Sequence, residues 1–245
     1  MNAPRPVALV TGAARRLGAA IATRLHAAGY DLALHYRDSA REAAALQDAL
    51  EESRRNSTVL LCADLSDVSK LPSLVEHTVL RFGRLDALVN NASAFFPTPI
   101  GETTEAMWDA LMDSNAKAPF FLAQAAAFHL RQSHGAILNL TDIYAERPLA
   151  NHTVYTMAKA ALTMLTLSLA RELGPEVRVN AIAPGAILWP ESGDDAPKKT
   201  IIERTALKRT GTSDEIAEAA AFLLGRASYT TGQVLRVDGG RWLTI

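Results

Sequence analysis

The feature that most constrains this chain is an alternation repeated along its length. Short apolar runs are separated by helix-length segments in which alanine and leucine recur at three- and four-residue intervals. Pro6–Thr11, Tyr30–Tyr36, Thr58–Cys62, Leu85–Val89, Ala136–Leu140, Val177–Ala181 and Val234–Val237 read as strands. Helices are expected over 17–28, 39–54, 67–82, 104–132, 152–173 and 213–224. Strands separated by helices cannot close as hairpins, so the pattern predicts an α/β fold with a parallel sheet covered on both faces and right-handed crossovers. No Pro/Gly/Ser-rich linker interrupts it, and 245 residues suit one domain spanning 1–245. The irregular stretch 184–199 reads as a substrate loop able to act as a lid.

Composition narrows the function classes. A formal net charge of -1, with both signs mixed along the chain, supplies no field for nucleic acid or an anionic membrane. Met1–Pro6 lacks a signal-peptide hydrophobic segment and no apolar run of bilayer length stands out, so the cytoplasm is the expected location. Cys62, the only cysteine, has no internal disulfide partner and reads as an inert core thiol. The six histidines form no metal-ligand cluster in the sequence, and no metal is expected.

Between the first strand and first helix stands Thr11-Gly12-Ala13-Ala14-Arg15-Arg16-Leu17-Gly18. Two glycines alone also suit an ordinary tight turn. In a strand–turn–helix context, they point to a Rossmann-type, doubly wound sheet with a pyrophosphate at the helix N-terminus. Arg16 is expected to face phosphate or substrate, and Arg15 fits solvent better; a surface role for Arg16 stays open. The second strand ends His35-Tyr36-Arg37-Asp38-Ser39. Arg37, helped by His35 and Ser39, suits the extra phosphate of NADPH/NADP+, whereas Asp38 would repel it if turned inward. His35 also fits a partly buried strand position. Asp64 and Leu65 follow the third strand, and Asn91, Ala92 and Ser93 follow the fourth, at the strand ends where open α/β sheets bind ligands.

Tyr155 and Lys159 lie at i and i+4 on one predicted helix face. A tyrosine with a free pKa of about 10 donates a proton readily but is a reluctant base, and a lysine cation beside it favours tyrosinate. Alone, such a pair arises by chance. Its position after the fifth strand of a dinucleotide-type chain gives it meaning.

Together, Thr11–Gly18, Asp64, Asn90–Ala92, Asn115, Tyr155–Lys159 and Pro184-Gly185 make the whole chain resemble the short-chain dehydrogenase/reductases. The resemblance implies proton transfer by Tyr155, lysine support by Asn115 through water and helix geometry, cofactor contacts at Pro184 and Gly185, and a homotetramer. That family's usual serine, thirteen residues before the tyrosine, is Asp142 here. Aspartate there, with Arg16, His35-Tyr36, Asn90–Phe95, Pro97-Thr98-Pro99 and the ending Val237–Gly240, is similar to the pteridine reductase branch. The branch's basic residue at position 38 is absent.

That resemblance implies NADPH-dependent reduction of a dihydropteridine C=N bond, with dihydrofolate a further substrate. Phe95 would stack on the flat pterin, Ser93 and Arg16 would meet its polar edges, and Leu188 and Trp189 would close over it. Trp189 also fits surface or subunit packing, and Phe95 and Phe96 also fit structural roles. Two alternatives remain: a general carbonyl or 3-oxoacyl reductase, for which serine is expected instead of Asp142, and a noncatalytic dinucleotide-binding regulator.

Overall fold

The computed structural model describes residues 4–187 and 195–244. Seven strands form one all-parallel sheet: β1 Val7–Val10, β2 Asp31–Tyr36, β3 Thr58–Cys62, β4 Ala87–Asn90, β5 Ala136–Leu140, β6 Arg178–Pro184 and β7 Val234–Val237. Their order is β3-β2-β1-β4-β5-β6-β7, which gives a single doubly wound α/β domain. The reversal of strand order between β1 and β4 opens a crevice at the carboxyl ends of those strands.

The covering helices are α1 Arg16–Ala27, α2 Ala40–Ser53, α3 Leu71–Phe82, α4 Glu105–Met112, α5 Ala118–Ser133, α6 Thr153–Leu173, α7 Asp195–Arg204 and α8 Ser213–Ala221. Successive strand residues serve opposite faces, as the pleat requires. Ala8 and Val10 join Ile21, Leu25, Ile216 and Ala220 in one core, whereas Leu9 joins Leu71, Leu122 and Leu169 in the other. Burial on both faces explains why these strands are continuously apolar instead of alternating.

Four local readings change. The predicted 104–132 helix is α4 and α5 joined by a π turn, Asp113–Lys117, which carries the buried Asn115. The 184–199 loop is shorter than its sequence suggests: Pro184 ends β6 and α7 begins at Asp195. Pro197 lies in the first turn of α7, where proline is tolerated. Cys62 is exposed, because it terminates β3 at the edge of the sheet. Finally, α6 has 21 residues and a window of mean hydropathy 1.2, enough by length and composition to cross a bilayer, although no such run was expected. In the fold it is a sheet-covering helix with Tyr155 and Lys159 buried.

A buried polar chain ties α6 to the sheet. Asn90 Nδ2 donates to Asn139 Oδ1 at 2.8 Å, Asn139 Nδ2 to Thr166 Oγ1 at 2.9 Å, and Thr166 Oγ1 to the Leu162 carbonyl at 2.9 Å. Asn139→Ala strands partners on both sides. We expect a loss of about 1–3 kcal/mol in urea unfolding.

Candidate active site

The turn after β1 is shaped by side chains from neighbouring strands. Thr11 Oγ1 donates to the Val89 carbonyl at 3.1 Å and accepts from the amides of Asn91 (2.9 Å) and Ala92 (3.1 Å). Asn91 Nδ2 donates to the carbonyls of Thr11 (2.9 Å) and Gly12 (3.1 Å). Gly12 has φ +61°, and a Cβ on Gly18 would lie 2.1 Å from the Gly12 oxygen. Both glycines are therefore fixed by the turn itself. Asn91 braces the turn from behind.

His35 is buried and serves the same turn. The Gly12 amide donates to its Nδ1 at 3.1 Å, so the proton resides on Nε2, which donates to the Ala63 carbonyl at 3.1 Å. Burial lowers its proton affinity, in keeping with this neutral tautomer. With both ring nitrogens engaged by backbone, His35 supports the cofactor turn and offers no free nitrogen to a phosphate. Arg16, the first residue of α1, has φ +54°, the left-handed conformation that glycine adopts at least cost, and it is exposed. Arg15 precedes it in extended conformation without capping α1 through its side chain, and pairs with Glu42 at 3.6 Å. The first amides of α1 thus lack a side-chain cap at the crevice, an arrangement that fits a pyrophosphate. Leu17 and Leu65 turn their side chains into the two cores.

At the end of β2, the Arg37 Nε donates to Asp38 Oδ2 at 2.7 Å, and both residues are exposed. Asp38 therefore faces its neighbour's guanidinium and offsets part of the charge expected to meet a phosphate. Tyr36 is half-buried, and Ser39 precedes α2 without capping it through its hydroxyl. Asp64 Oδ1 accepts from the Ser66 amide and hydroxyl, both at 2.9 Å, which hold its carboxyl below the usual range. At the other end, the Gly185 amide donates to the Val237 carbonyl at 3.1 Å, next to Pro184. A Cβ there would lie 2.6 Å from Asp238 Cα, so close approach of two backbones requires this glycine. Leu188 and Trp189 lie outside the described residues.

The reactive end brings Asp142, Tyr155 and Lys159 together. The Tyr155 hydroxyl donates to Asp142 Oδ2 at 2.7 Å, and Asp142 Oδ1 accepts from the Tyr144 amide at 2.9 Å. Lys159 Nζ donates to the Leu140 carbonyl at 2.8 Å and lies 5.8 Å from the Tyr155 ring centroid. The Tyr155 hydroxyl thus bonds to Asp142, while Lys159 is held by the Leu140 carbonyl. Burial first, then the Asp142 carboxyl, push the phenol's pKa well up, so Tyr155 is held as a proton donor. Burial also raises Asp142, against the Tyr144 amide, the Tyr155 hydroxyl, Lys159 and Arg241. It lowers Lys159 to about 8.

Asn115 braces the loop after β4. Its Oδ1 accepts from Ser93 Oγ at 2.8 Å, and its Nδ2 donates to the carbonyls of Ala94 and Leu111, both at 3.0 Å. Thr98 fastens the same loop to the start of α6: its amide donates to the Asn151 carbonyl at 2.6 Å and its hydroxyl accepts from Val154 N at 3.3 Å. Phe95 consequently meets Tyr155 edge-on at 4.8 Å and stacks on His152 at 4.7 Å, with 52% of its surface exposed. Phe96 instead packs with Leu111, Val154 and Tyr155. His152, Tyr144 and Arg241 neighbour these residues although sequence reasoning did not single them out. Only His152, three residues before Tyr155, carried a positional signal.

Residues 12–241 match the family described as enoyl-(acyl carrier protein) reductase. The chain is 37% identical to pteridine reductase 1 of Leishmania tarentolae, over 98% of this chain and 97% of that protein. It is also 37% identical to a ketoacyl reductase assigned to the granaticin polyketide synthase of Streptomyces violaceoruber, over 97% and 96%. Identity to the 3-oxoacyl-[acyl-carrier-protein] reductase FabG of Staphylococcus aureus is 34%, over 96% and 98%. The chain belongs to the short-chain dehydrogenase/reductase family, whose members are oxidoreductases that use a nicotinamide dinucleotide.

Two expected outcomes follow from these charges. A carboxyl whose folded pKa is raised contributes stability below its unfolded pKa and loses it as pH rises through the folded value. Asp142→Asn should therefore raise Tm at pH 7 by about 2–4 °C, as 1 kcal/mol does in a chain this size. The gain should vanish toward pH ~4, where the unfolded carboxyl also protonates. Lys159 loses its ammonium as pH rises past about 8. The pH profile of kcat/KM should fall there, and Lys159→Arg should move that fall to higher pH.

Proposed function

We propose that this chain is an NADPH-dependent pteridine reductase that reduces dihydropteridines to tetrahydropteridines and accepts dihydrofolate. The observation that carries this reading is the hydrogen bond of 2.7 Å between Tyr155 and Asp142, where a carbonyl reductase of this family would hold serine. A substrate C=N bond needs hydride at carbon and a proton at nitrogen. The nicotinamide cofactor, when bound, supplies the hydride. Tyr155 donates the proton from its buried hydroxyl, and Asp142, its own proton affinity raised by burial, replaces that proton along the hydrogen bond. Lys159, held by the Leu140 carbonyl, keeps its ammonium beside the Tyr155 ring and would hold the cofactor ribose. Phe95 offers an exposed aromatic face beside Tyr155, suited to stacking on a flat ring.

Arg16, Arg37 and Ser39 would border the dinucleotide, and Gly12, Gly18 and the α1 amides would hold its pyrophosphate. Leu188 and Trp189 are assigned to substrate closure on their position after β6. A cytoplasmic homotetramer is the assembly we favour; exposed Trp108, Phe120, Met157 and Met164 on α4–α6 offer apolar surface for it.

A general carbonyl or 3-oxoacyl reductase is the second reading, and the comparisons back it better. The matching family is described by acyl-carrier chemistry, and relatives named for ketoacyl reduction align over nearly the whole chain. The two readings separate in a panel of dihydrobiopterin, dihydromonapterin, dihydrofolate and simple ketones, assayed with NADPH and NADH. Pterin turnover with NADPH is expected. Efficient ketone reduction without pterin turnover would overturn the first reading. In the same assays Phe95→Ala should raise the pterin KM about tenfold, as ~1.4 kcal/mol of stacking would, and leave the NADPH dissociation constant unchanged.

A further inference from the structure

Asp142 is approached from three directions. Its own turn contributes the Tyr144 amide, and α6 contributes the Tyr155 hydroxyl and the buried Lys159 ammonium. The third approach comes from the far end of the chain. Arg241, in a 3-10 turn Arg241–Thr244, donates through Nη2 to the Tyr144 hydroxyl at 2.9 Å. The residue is only 7% exposed, and its Nη1 has no hydrogen-bond partner.

Arg241 forms no ion pair among the described residues, unlike its neighbours. Arg236 pairs with Glu146 at 2.5 Å, and the guanidinium groups of Arg236 and Arg147 lie 4.4 and 4.5 Å from the Trp242 ring. Asp238 is engaged by the amides of Gly240 (2.9 Å) and Trp242 (2.7 Å), which set the turn that presents Arg241. A buried guanidinium without a carboxylate is costly, and merely supporting a tyrosine hydroxyl does not require a charge. Tyr144, which accepts from this cation at its hydroxyl, donates from its amide to the Asp142 carboxyl.

We infer that Arg241 is a positioning residue for the reaction: it fixes the Asp142 turn through the Tyr144 hydroxyl and supplies, with Lys159, the positive field around the Asp142 carboxyl. The inference concerns the handling of a proton by Asp142 and holds for a pterin or a ketone. Removing the cation should make Asp142 hold its proton more tightly, because an opposing charge favours the ionised carboxyl.

The test is a direct titration of Asp142 in the full-length enzyme labelled with 13C at the aspartate carboxyls, its resonance identified by its loss in Asp142→Asn. Arg241→Gln removes the charge and keeps a donor for Tyr144. Its Asp142 midpoint should rise by about 0.5–1 pH unit, and the corresponding limb of the kcat/KM profile should move with it on whichever substrate the panel identifies. Arg241→Lys should return the midpoint toward the wild-type value. Tyr144→Phe keeps the charge and cuts the link, so kcat should fall severalfold with the NADPH dissociation constant unchanged. An unmoved midpoint in folded Arg241→Gln would overturn the inference. If that variant does not fold, wild-type kcat in Tyr144→Phe would overturn it equally.

Discussion

A parallel sheet buried on both faces leaves its strand ends as places where polar chemistry can gather, and each strand end also leaves backbone groups that need partners. In this protein the two demands meet at one edge. Thr11, His35 and Asn91 close the hydrogen bonds left open after β1, β3 and β4, and in doing so they fix the turn that faces the crevice. Asp142 stands just past β5, and Pro184-Gly185 at the end of β6. The cofactor turn and the reactive carboxyl are therefore products of the same strand register. They cannot be adjusted independently of it.

Much of this was legible in the sequence because it depends on short-range periodicity. The strand and helix alternation, the Tyr155/Lys159 spacing and the aspartate thirteen residues before the tyrosine are local patterns, and the fold they imply is the one observed. The residues that escaped notice act over long sequence distances or through their position at an edge. Arg241 reaches Tyr144 across 97 residues. Cys62 has the same apolar neighbours as a core residue, but β3 is an edge strand and its last position opens outward. His35 and Asn91 were read toward a ligand because their place at the strand ends was known and the direction of their side chains was not. The helix at Asp195–Arg204 carries Pro197 in its first turn, where proline is tolerated.

The electrostatics of the reactive end reverse a common intuition about tyrosine beside lysine. Lys159 is buried enough to lose proton affinity, whereas Tyr155 faces a carboxyl that raises its own. An aspartate in place of a neutral hydroxyl thus does more than change a hydrogen-bond partner. It keeps the phenol protonated and places a second acidic group on its hydrogen bond.

The π turn at Asp113–Lys117 has an implication for how this chain can change. A π turn accommodates one residue more than the α-helical turn it replaces, so it behaves as an insertion built into a helix. Substitution alone leaves that count unchanged, whereas deleting one residue would let the turn relax to an ordinary α-helical one with α5 still in register. Such a deletion would withdraw Asn115 from Ser93 and Ala94 while sparing the packing of α5. The extra residue thus serves the Asn115 brace and not the packing of α5, so losing it would cost the brace before it cost the fold.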